Sequence, residues 1–402
     1  MAESRTHCCI AGGGPAGMML GLLLARAGLR VTVLEKHADY LRDLRGDTIH
    51  PSTLELMHEL GVLERFLELP HQKARQLAAQ VGDQLITVGD FTHLPTQCKF
   101  IALMPQWDFL DFLADEARGY PGFELHMLTK ATDLIRDDSD RIVGVRAETD
   151  EGNTEFLADL VVGADGRTSV LRDKAGLEVE QLGAPIDVLW FKVSRHATDP
   201  QTPMGRFDTG RIFVLLNRSD YWQCGYVIPK GSAERVKEAG LDAFRKDFAQ
   251  LVPWAAERAD EIASWDQVRL LTVRVDRLKR WYRSGFLCIG DAAHAMSPVG
   301  GVGINLAIQD AVAASNRLAK PLSENRLTDA DLARVQKRRM LPTRITQHMQ
   351  VMIQDRVIAR VLETESALQT PWPLRMLAKH PRLRRIPARL IGIGIRPEHI
   401  AH

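Results

Sequence analysis

Three places in this chain put glycines and an acid at the end of an apolar run, and they are where chemistry is to be expected. The first is Ile10-Ala11-Gly12-Gly13-Gly14-Pro15-Ala16-Gly17, which reads Gly12-x-Gly14-x-x-Gly17. Apolar Cys8, Cys9 and Ile10 precede it, a helix-forming run over 18–25 follows, and a strand-like run over 29–34 ends at Glu35 and Lys36. Glycine at these positions permits a tight turn, close approach of a diphosphate and a close helix–strand contact. The helix N-terminus offers free N–H groups and a positive dipole end to phosphates. Glu35 can accept a hydrogen bond from a ribose hydroxyl. The whole strand–turn–helix–strand–acid unit predicts a Rossmann-type dinucleotide site rather than a glycine-rich turn in an ordinary α/β core.

Two later stretches have a similar form. Leu160-Val161-Val162-Gly163-Ala164-Asp165-Gly166 leads into a helix start at 167–172. Ligands bind at the strand ends of parallel sheets, so Asp165 could hold a ribose or orient a loop, although Asp-Gly taken alone is usually a turn. The run 285–290 ends at Asp291, and a loop through Ser297, Pro298, Gly300, Gly301 and Gly303 opens a helix carrying Ile304, Asn305, Gln309 and Asp310. Glycines let backbone N–H groups approach a flat ring, and the helix N-terminus can stabilise negative charge on it. Arg45 lies just beyond the ribose acid and reads either as a phosphate contact or as a solvated cation. His294 has no His, Cys or Glu at metal spacing and reads as a packed or loop histidine; no metal site is expected.

The elements that must position these residues follow from pattern. At 402 residues the chain predicts one large or two intimate domains. A net charge of +1 gives no global field for nucleic acid. Five cysteines without a CxxC pair, and no signal peptide, fit reduced thiols in a cytoplasm. Residues 8–25 are uncharged and long enough to suggest a membrane span, but Gly12, Gly13, Gly14 and Pro15 break them. A helix opens at Pro51, with Ser52 and Glu55 at capping-box spacing and Gly61 as its stop, and a short helix follows to Leu69. Short antiparallel strands are expected over 71–104, a helix from Pro105 through Gln106, and strands over 123–127, 131–136, 142–149 and 154–158.

Residues 184–275 predict strands over 187–193, 211–216, 221–228 and 268–275, with one helix over 233–251. Trp190, Phe213, Trp222 and Tyr226 are read as aromatics on one face, either a pocket wall or core. A helix over 328–364 is expected to bend or restart at Pro342. The tail from Pro371 is basic and amphipathic, which suits a docked helix with a solvated basic side or a weak contact with anionic lipid.

Together the three glycine–acid stretches resemble the para-hydroxybenzoate hydroxylase family of FAD-dependent monooxygenases, over roughly residues 5–350. Gly12, Gly14, Gly17 and Glu35 match the family's FAD fingerprint. Asp165, Gly166, Ser169 and Arg172 match its Asp-Gly motif, and Gly290 and Asp291, with Pro298, Gly303 and Asn305, match its Gly-Asp motif. Arg45 and Gln106 fall where the family contacts FAD. The resemblance implies an extended FAD, with Asp291 on the ribityl chain and the loop from Pro298 to Asn305 along the isoalloxazine. It also implies that Asp165 supports the interdomain architecture and the NAD(P)H response. The implied cofactor residues are Gly12, Gly14, Pro15, Ala16, Gly17, Glu35, Lys36, Arg45, Gln106, Asp165, Asp291, Pro298, Gly301, Gly303, Ile304 and Asn305. Only one complete GxGxxG unit is present, which fits a family whose NADPH or NADH docks transiently.

The expected fold class is therefore α/β: a Rossmann-type FAD-binding domain with a parallel sheet, from 1–70, 105–180 and 276–345. Into it is inserted a mostly antiparallel substrate-binding domain from 71–104 and 181–275, and a basic helical segment, 346–402, closes the chain. This tail is too short and too basic for the thioredoxin-like domain some relatives carry. The implied function is a monooxygenase (hydroxylase) using NAD(P)H and O2 to insert one oxygen atom into an aromatic or polyketide/quinol-like small molecule through a flavin peroxide. No Ser/His/Asp or Cys/His constellation is present, and none is required when the flavin carries the chemistry. Trp190, Phe213, Trp222, Tyr226 and Pro298 are the candidate substrate pocket. Two alternatives stay open: a reductase or dehydrogenase on the same scaffold, which would turn over without oxygen, and a non-catalytic FAD-binding protein. A flavin halogenase is disfavoured because the Trp-x-Trp-x-Ile-Pro signature is absent.

Overall fold

The computed structural model describes residues 5–41, 48–218, 220–364, 368 and 370–401. The chain runs through β1 (Thr6–Ala11), α1 (Pro15–Arg26), β2 (Val31–Leu34), α2 (Gln106–Arg118), β3 (Phe123–His126), β4 (Gly152–Gly163), β5 (Phe286–Cys288), α3 (Gly303–Ser323) and α4 (Asp329–Ile353). The strands pair in the order β5–β4–β1–β2–β3, every neighbour parallel. Tyr282–Arg283 adds an antiparallel edge to β5. Strands covered on both faces can be apolar throughout, which is why β1 and β2 read as unbroken runs. The uncharged stretch 8–25 is therefore β1 and α1, buried in the main core. No helix among the described residues is long and apolar enough to cross a membrane. The expected strands 154–158 and 160–163 are one long strand, β4, whose exposed start pairs with Ile142–Thr149, itself paired with Lys130–Arg136.

A second sheet has seven strands: Arg269–Leu271, Ile186–Ser194, Tyr221–Pro229, Arg211–Asn217, Met204–Asp208, Gln76–Val81 and Gln84–Asp90, in that spatial order. Met204–Asp208 was not foreseen. It runs parallel to Gln76–Val81 and antiparallel to Arg211–Asn217, so it joins the strands of 71–104 to those of 181–275. The sheet has an outer apolar layer under the helix Leu241–Leu251 and an inner layer that receives the end of the C-terminal helices.

Four local expectations need correction. The helix over 233–251 is two helices, Ala233–Glu238 and Leu241–Leu251, because Gly240 takes φ +92° between them. The last strand of that block is only Arg269–Leu271, since the Asp187 carboxylate, itself paired with the Lys230 ammonium (2.8 Å), takes the Val273 N–H (2.9 Å) that would have extended the ladder. Ser52 and Glu55 form no capping box: Pro51 begins the helix Pro51–Glu59, and the Glu55 carboxylate accepts the Gln97 N–H instead, at 2.9 Å. Finally, α4 runs unbroken through Pro342, held on either side of it by buried Arg339, Gln347 and Gln350. Proline inside a helix costs about 3 kcal/mol, and those buried contacts offset it.

Candidate functional site

The C-terminal ends of β2, β1, β4 and β5 lie side by side; those of β1, β4 and β5 lead into the three glycine motifs, and that of β2 carries Glu35, the acid of the first. Gly12 has φ +110°, and a Cβ there would sit 2.3 Å from the Ala164 carbonyl oxygen. The first turn and the Asp-Gly strand end are thus in backbone contact. A Cβ on Gly17 would sit 1.9 Å from the Gly12 carbonyl oxygen. A Cβ on Gly14, by contrast, would meet no protein atom within 4 Å. The three glycines serve the turn, the helix contact and the open approach that a diphosphate needs. Pro15 begins α1, and the N–H groups of Ala16 and Gly17 stand at its first turn.

Glu35 is buried just past β2. Its carboxylate accepts the Gly13 N–H at 2.9 Å and the His37 N–H at 3.1 Å, which aims it at the glycine turn. Lys36 beside it is exposed, and Gln106 is half-buried at the start of α2. Arg45 lies outside the described residues.

Asp165 turns one carboxylate oxygen to the N–H groups of Val170 (2.9 Å) and Leu171 (3.3 Å), and so holds the short helix Val170–Lys174. Its other oxygen is buried without a partner, and burial pushes its carboxyl above the ordinary range. Arg172 is buried between two motifs: it donates to the Ala292 carbonyl at 3.3 Å and the Arg167 carbonyl at 3.2 Å. Arg167 in turn pairs with Asp291 at 3.3 Å. A Cβ on Gly290 would lie 3.1 Å from the Cβ atoms of Ala16 and Ala307, so the Gly-Asp strand end packs onto the starts of α1 and α3. Three motifs remote in sequence therefore share one edge of one sheet. The uncovered Gly14, the open helix N-terminus and the unpartnered Asp165 oxygen fit a long phosphate-bearing cofactor.

Beyond Asp291 the loop turns through Gly300 (φ +80°) and Gly301 (φ +63°) into α3. Pro298, Gly301, Gly303 and Ile304 are half-buried along it. The side chain of Asn305 is held by the residues across the loop. Its carbonyl oxygen accepts the His50 N–H (2.9 Å) and the Thr53 hydroxyl (2.8 Å), and its amide donates to the Thr48 carbonyl (3.1 Å). Its side chain is thus committed to the protein, and it ties the loop to residues 48–53.

The sequence reading missed what holds the loop from behind. Gln347, Gln350 and Gln354 lie along one side of α4 and its π-helical extension, Gln354–Ile358, and all three are buried. Gln347 donates to the carbonyls of Asp276 and Ala295, Gln350 to those of Ser297 and Val299, and Gln354 to the Ser297 hydroxyl. The signal was there as glutamine at i, i+3 and i+7 on one helix. Also unforeseen is the charge cluster behind Gly290. The fully buried Asp310 accepts the Gly290 N–H (3.1 Å), faces His294 Nε2 (2.5 Å) and accepts from Arg339 (2.8 Å). Burial would raise its carboxyl, but His294 and Arg339 outweigh burial and hold it below the usual range.

The aromatic residues divide by strand parity. Trp190 stands opposite Gly225, on the inner face with Val188, Val214, Leu271 and the loop residue Val299. Phe213, Trp222 and Tyr226 point the other way, into the outer core with Phe191, Phe244 and Phe248. Phe213 stacks on Tyr226 at 4.5 Å, and the Trp222 indole donates to Asp199 at 2.9 Å. These three are packing residues, which corrects their place in the candidate pocket, and only Trp190 of the four lies on the inner face. The cysteines are buried, and burial raises their thiols, that of Cys9 to about 12.

Comparison with known proteins agrees with this geometry. The FAD binding domain family matches residues 5–348. The chain is 31% identical to 6-methylpretetramide 4-monooxygenase of Streptomyces rimosus over 96% of its own length and 92% of the relative's. It is 30% identical to rifampicin monooxygenase of Streptomyces venezuelae over 75% of its own length, but spans only 61% of that protein. Among solved structures, p-nitrophenol 4-monooxygenase from Pseudomonas putida superposes with a TM-score of 0.78 at 20% identity, covering 98% of this chain and 100% of that one. The probable FAD-dependent monooxygenase pqsL from Pseudomonas aeruginosa gives 0.76 at 22% identity, over 90% and 100%. With a family match over most of its length and three strand ends built for one dinucleotide, the chain belongs to the FAD binding domain family and is an FAD-dependent oxidoreductase of the para-hydroxybenzoate hydroxylase-like monooxygenases.

Proposed function

We propose that this protein is a monooxygenase that uses NAD(P)H and O2 to insert one oxygen atom into an aromatic or polyketide-like small molecule. The observation that supports it most is that Val299, in the loop after Asp291, packs on the same apolar inner-face cluster of the second sheet as Trp190. A flat apolar substrate seated there would lie between that sheet and the cofactor loop. The strands of 71–104 and 181–275 would then form the substrate-binding domain. The names of the relatives, which include a p-nitrophenol and a 6-methylpretetramide monooxygenase, favour the same substrate class.

The residues divide the work. Gly14, Ala16 and Gly17 would receive the diphosphate, Glu35 the adenosine ribose and Asp291 the ribityl chain. FAD, when bound, supplies the redox chemistry and the reaction with oxygen. Gly300, Gly301 and Gly303 allow the backbone to approach a ring, and the start of α3 brings free N–H groups and a positive dipole end to it. The inner face excludes water from the reacting atoms. Trp190 offers a flat ring and an indole N–H with no protein partner. Five buried, unpaired cysteines support a reducing compartment such as the cytoplasm.

The test is turnover of candidate phenols and polycyclic aromatics with NADPH or NADH under isotopically labelled O2. One labelled oxygen atom per product is expected. Turnover without oxygen would replace this reading with a reductase. NAD(P)H consumption that no ligand stimulates would leave only a binding protein.

A further inference from the structure

The site above makes no use of the most strongly charged stretch of the chain. Residues 371–396 hold seven Arg and Lys and no Asp or Glu, whereas the whole chain is net +1, so the rest of the molecule is net −6. Two helices form most of this stretch, α5 (Trp372–Lys379) and α6 (Arg385–Gly392). Arg384 donates to the carbonyls of Leu377 (2.9 Å) and Ala378 (3.2 Å), which fastens them into one unit.

The outward side of this unit has a pattern. On α5 the half-buried Leu374 and Leu377 turn inward, while Trp372, Arg375, Met376 and Lys379 are exposed. Those four fall at i, i+3, i+4 and i+7, which is one helical stripe. Arg382, Arg385, Ile386 and Arg389 repeat the same offsets, and all four are exposed. Trp372 is 69% exposed and Ile386 59%, and Leu85 on the adjoining strand Gln84–Asp90 is 63% exposed. Each helix therefore presents a large apolar side chain between cations. Among the described residues, Arg375, Lys379, Arg382, Arg385 and Arg389 have no carboxylate within ion-pair distance.

We propose that this surface docks on an anionic lipid bilayer. The match is in charge and in depth: cations at headgroup level, with Trp372, Met376 and Ile386 reaching the acyl boundary. The body's net negative charge would be repelled by such a bilayer, which orients the molecule with the tail towards it. The inner side of the same unit leads to the cofactor loop. Ala388 is fully buried against Gly89, the Ile391 carbonyl faces His50 Nδ1 at 2.7 Å, and Gly300 lies beneath the Ile391 side chain. An apolar aromatic dissolved in the bilayer would thus arrive next to the site; that step alone rests on the function proposed above.

The experiment is flotation of the full-length, FAD-loaded protein with vesicles of phosphatidylcholine alone or mixed equally with phosphatidylglycerol. Binding is expected to the mixed vesicles only and to weaken as salt screens the charges. Brominated lipid should quench the emission of Trp372, as judged by comparison with Trp372→Ala. Replacing Arg385 and Arg389 together by Gln should lower vesicle partitioning about thirtyfold, with turnover of water-soluble substrate unchanged. No flotation with the mixed vesicles overturns the proposal, and so does equal binding to neutral vesicles or an unaffected double variant. Capture of an acidic protein by a chain that ignores vesicles would also overturn it and assign the surface to that partner. None of these outcomes depends on whether the enzyme hydroxylates anything.

Discussion

Acidification should destabilise the fold through His50, where the tail meets the cofactor loop. This residue is fully buried, and its backbone N–H donates to Asn305. Its Nδ1 lies 2.7 Å from the Ile391 carbonyl oxygen, which can only accept, so Nδ1 carries the ring proton. Nε2 is buried with no partner. A second proton would place an N–H there with nothing to receive it. Burial accordingly lowers the pKa from 6.5 to about 4, although the Ile391 carbonyl favours the cation. The unfolded chain takes up the proton near 6.5 and the folded chain only near 4. The stability His50 contributes is therefore complete above pH 6.5, falls through the window between those values and levels off below it. The gap is worth about 3 kcal/mol. The assay is urea unfolding at pH 7 and pH 4.5 for the wild type and His50→Asn, whose amide can still donate to Ile391. The difference between the two proteins cancels the other titrating groups. The wild type should lose about 2.5 kcal/mol more than the variant between the two pH values. Parallel losses, within about 0.5 kcal/mol, would refute the reasoning, because they would mean that the buried ring accepts its second proton freely.

Three further predictions separate structural from binding roles. Asp310→Asn removes the nearer carboxylate from buried Arg339, leaving it Glu398 at 3.6 Å, and should cost about 3–5 kcal/mol in denaturant unfolding. The Asp310 carboxyl is held below its ordinary range, so its contribution is present above the unfolded pKa and is lost as pH falls through the lower folded value, a trend the Asn variant should lack. Gly14→Ala meets no protein atom and should keep wild-type stability while weakening FAD binding at least about tenfold in a fluorescence titration. Gly17→Ala, driven into the Gly12 carbonyl, should lower both. Phe213→Ala should destabilise by about 3–5 kcal/mol and leave the substrate KM unchanged, whereas Trp190→Ala should shift KM with little effect on the melting temperature.

The strand-end motifs were legible because each is nearly local: a turn glycine and a helix start stand within a few residues of one another, and the acid follows in the same turn or, for Glu35, at the end of the next strand. The pocket was not legible, because a strand's facing depends on register. Trp190 pairs with Gly225, and this puts it on the face that Trp222 and Tyr226 leave. A shift of one residue would have placed all three together, and nothing in the alternation of 186–194 or 221–229 chooses between those registers. Gly240 was hidden inside an amphipathic pattern that continues on both sides of it. The glutamines of α4 look like a solvated stripe for a related reason. What draws them inside is the backbone carbonyls of Ser297 and Val299, which need donors that the loop does not supply, and that of Ala295, which the Asp276 N–H also reaches.

The same need explains why the back of this site is polar at all. The loop after Asp291 turns through two left-handed glycines and has little regular structure of its own to fix its path. Apolar packing would hold it near α3 and α4 without specifying where each carbonyl points, since dispersion has little direction. Amide donors from Gln347 and Gln350, with the Asp310 carboxylate on the Gly290 N–H, fix individual backbone groups instead. The cluster continues outward: Arg339 approaches Glu398 at 3.6 Å, Arg338 also pairs with Glu398, and the Glu398 N–H is held by Gln309. The last residues of the described chain thereby brace the helix that braces the loop. Removing either partner of a buried pair costs more than the pair contributes, so this arrangement tolerates little drift at the point where a flat ring has to be met at van der Waals distance.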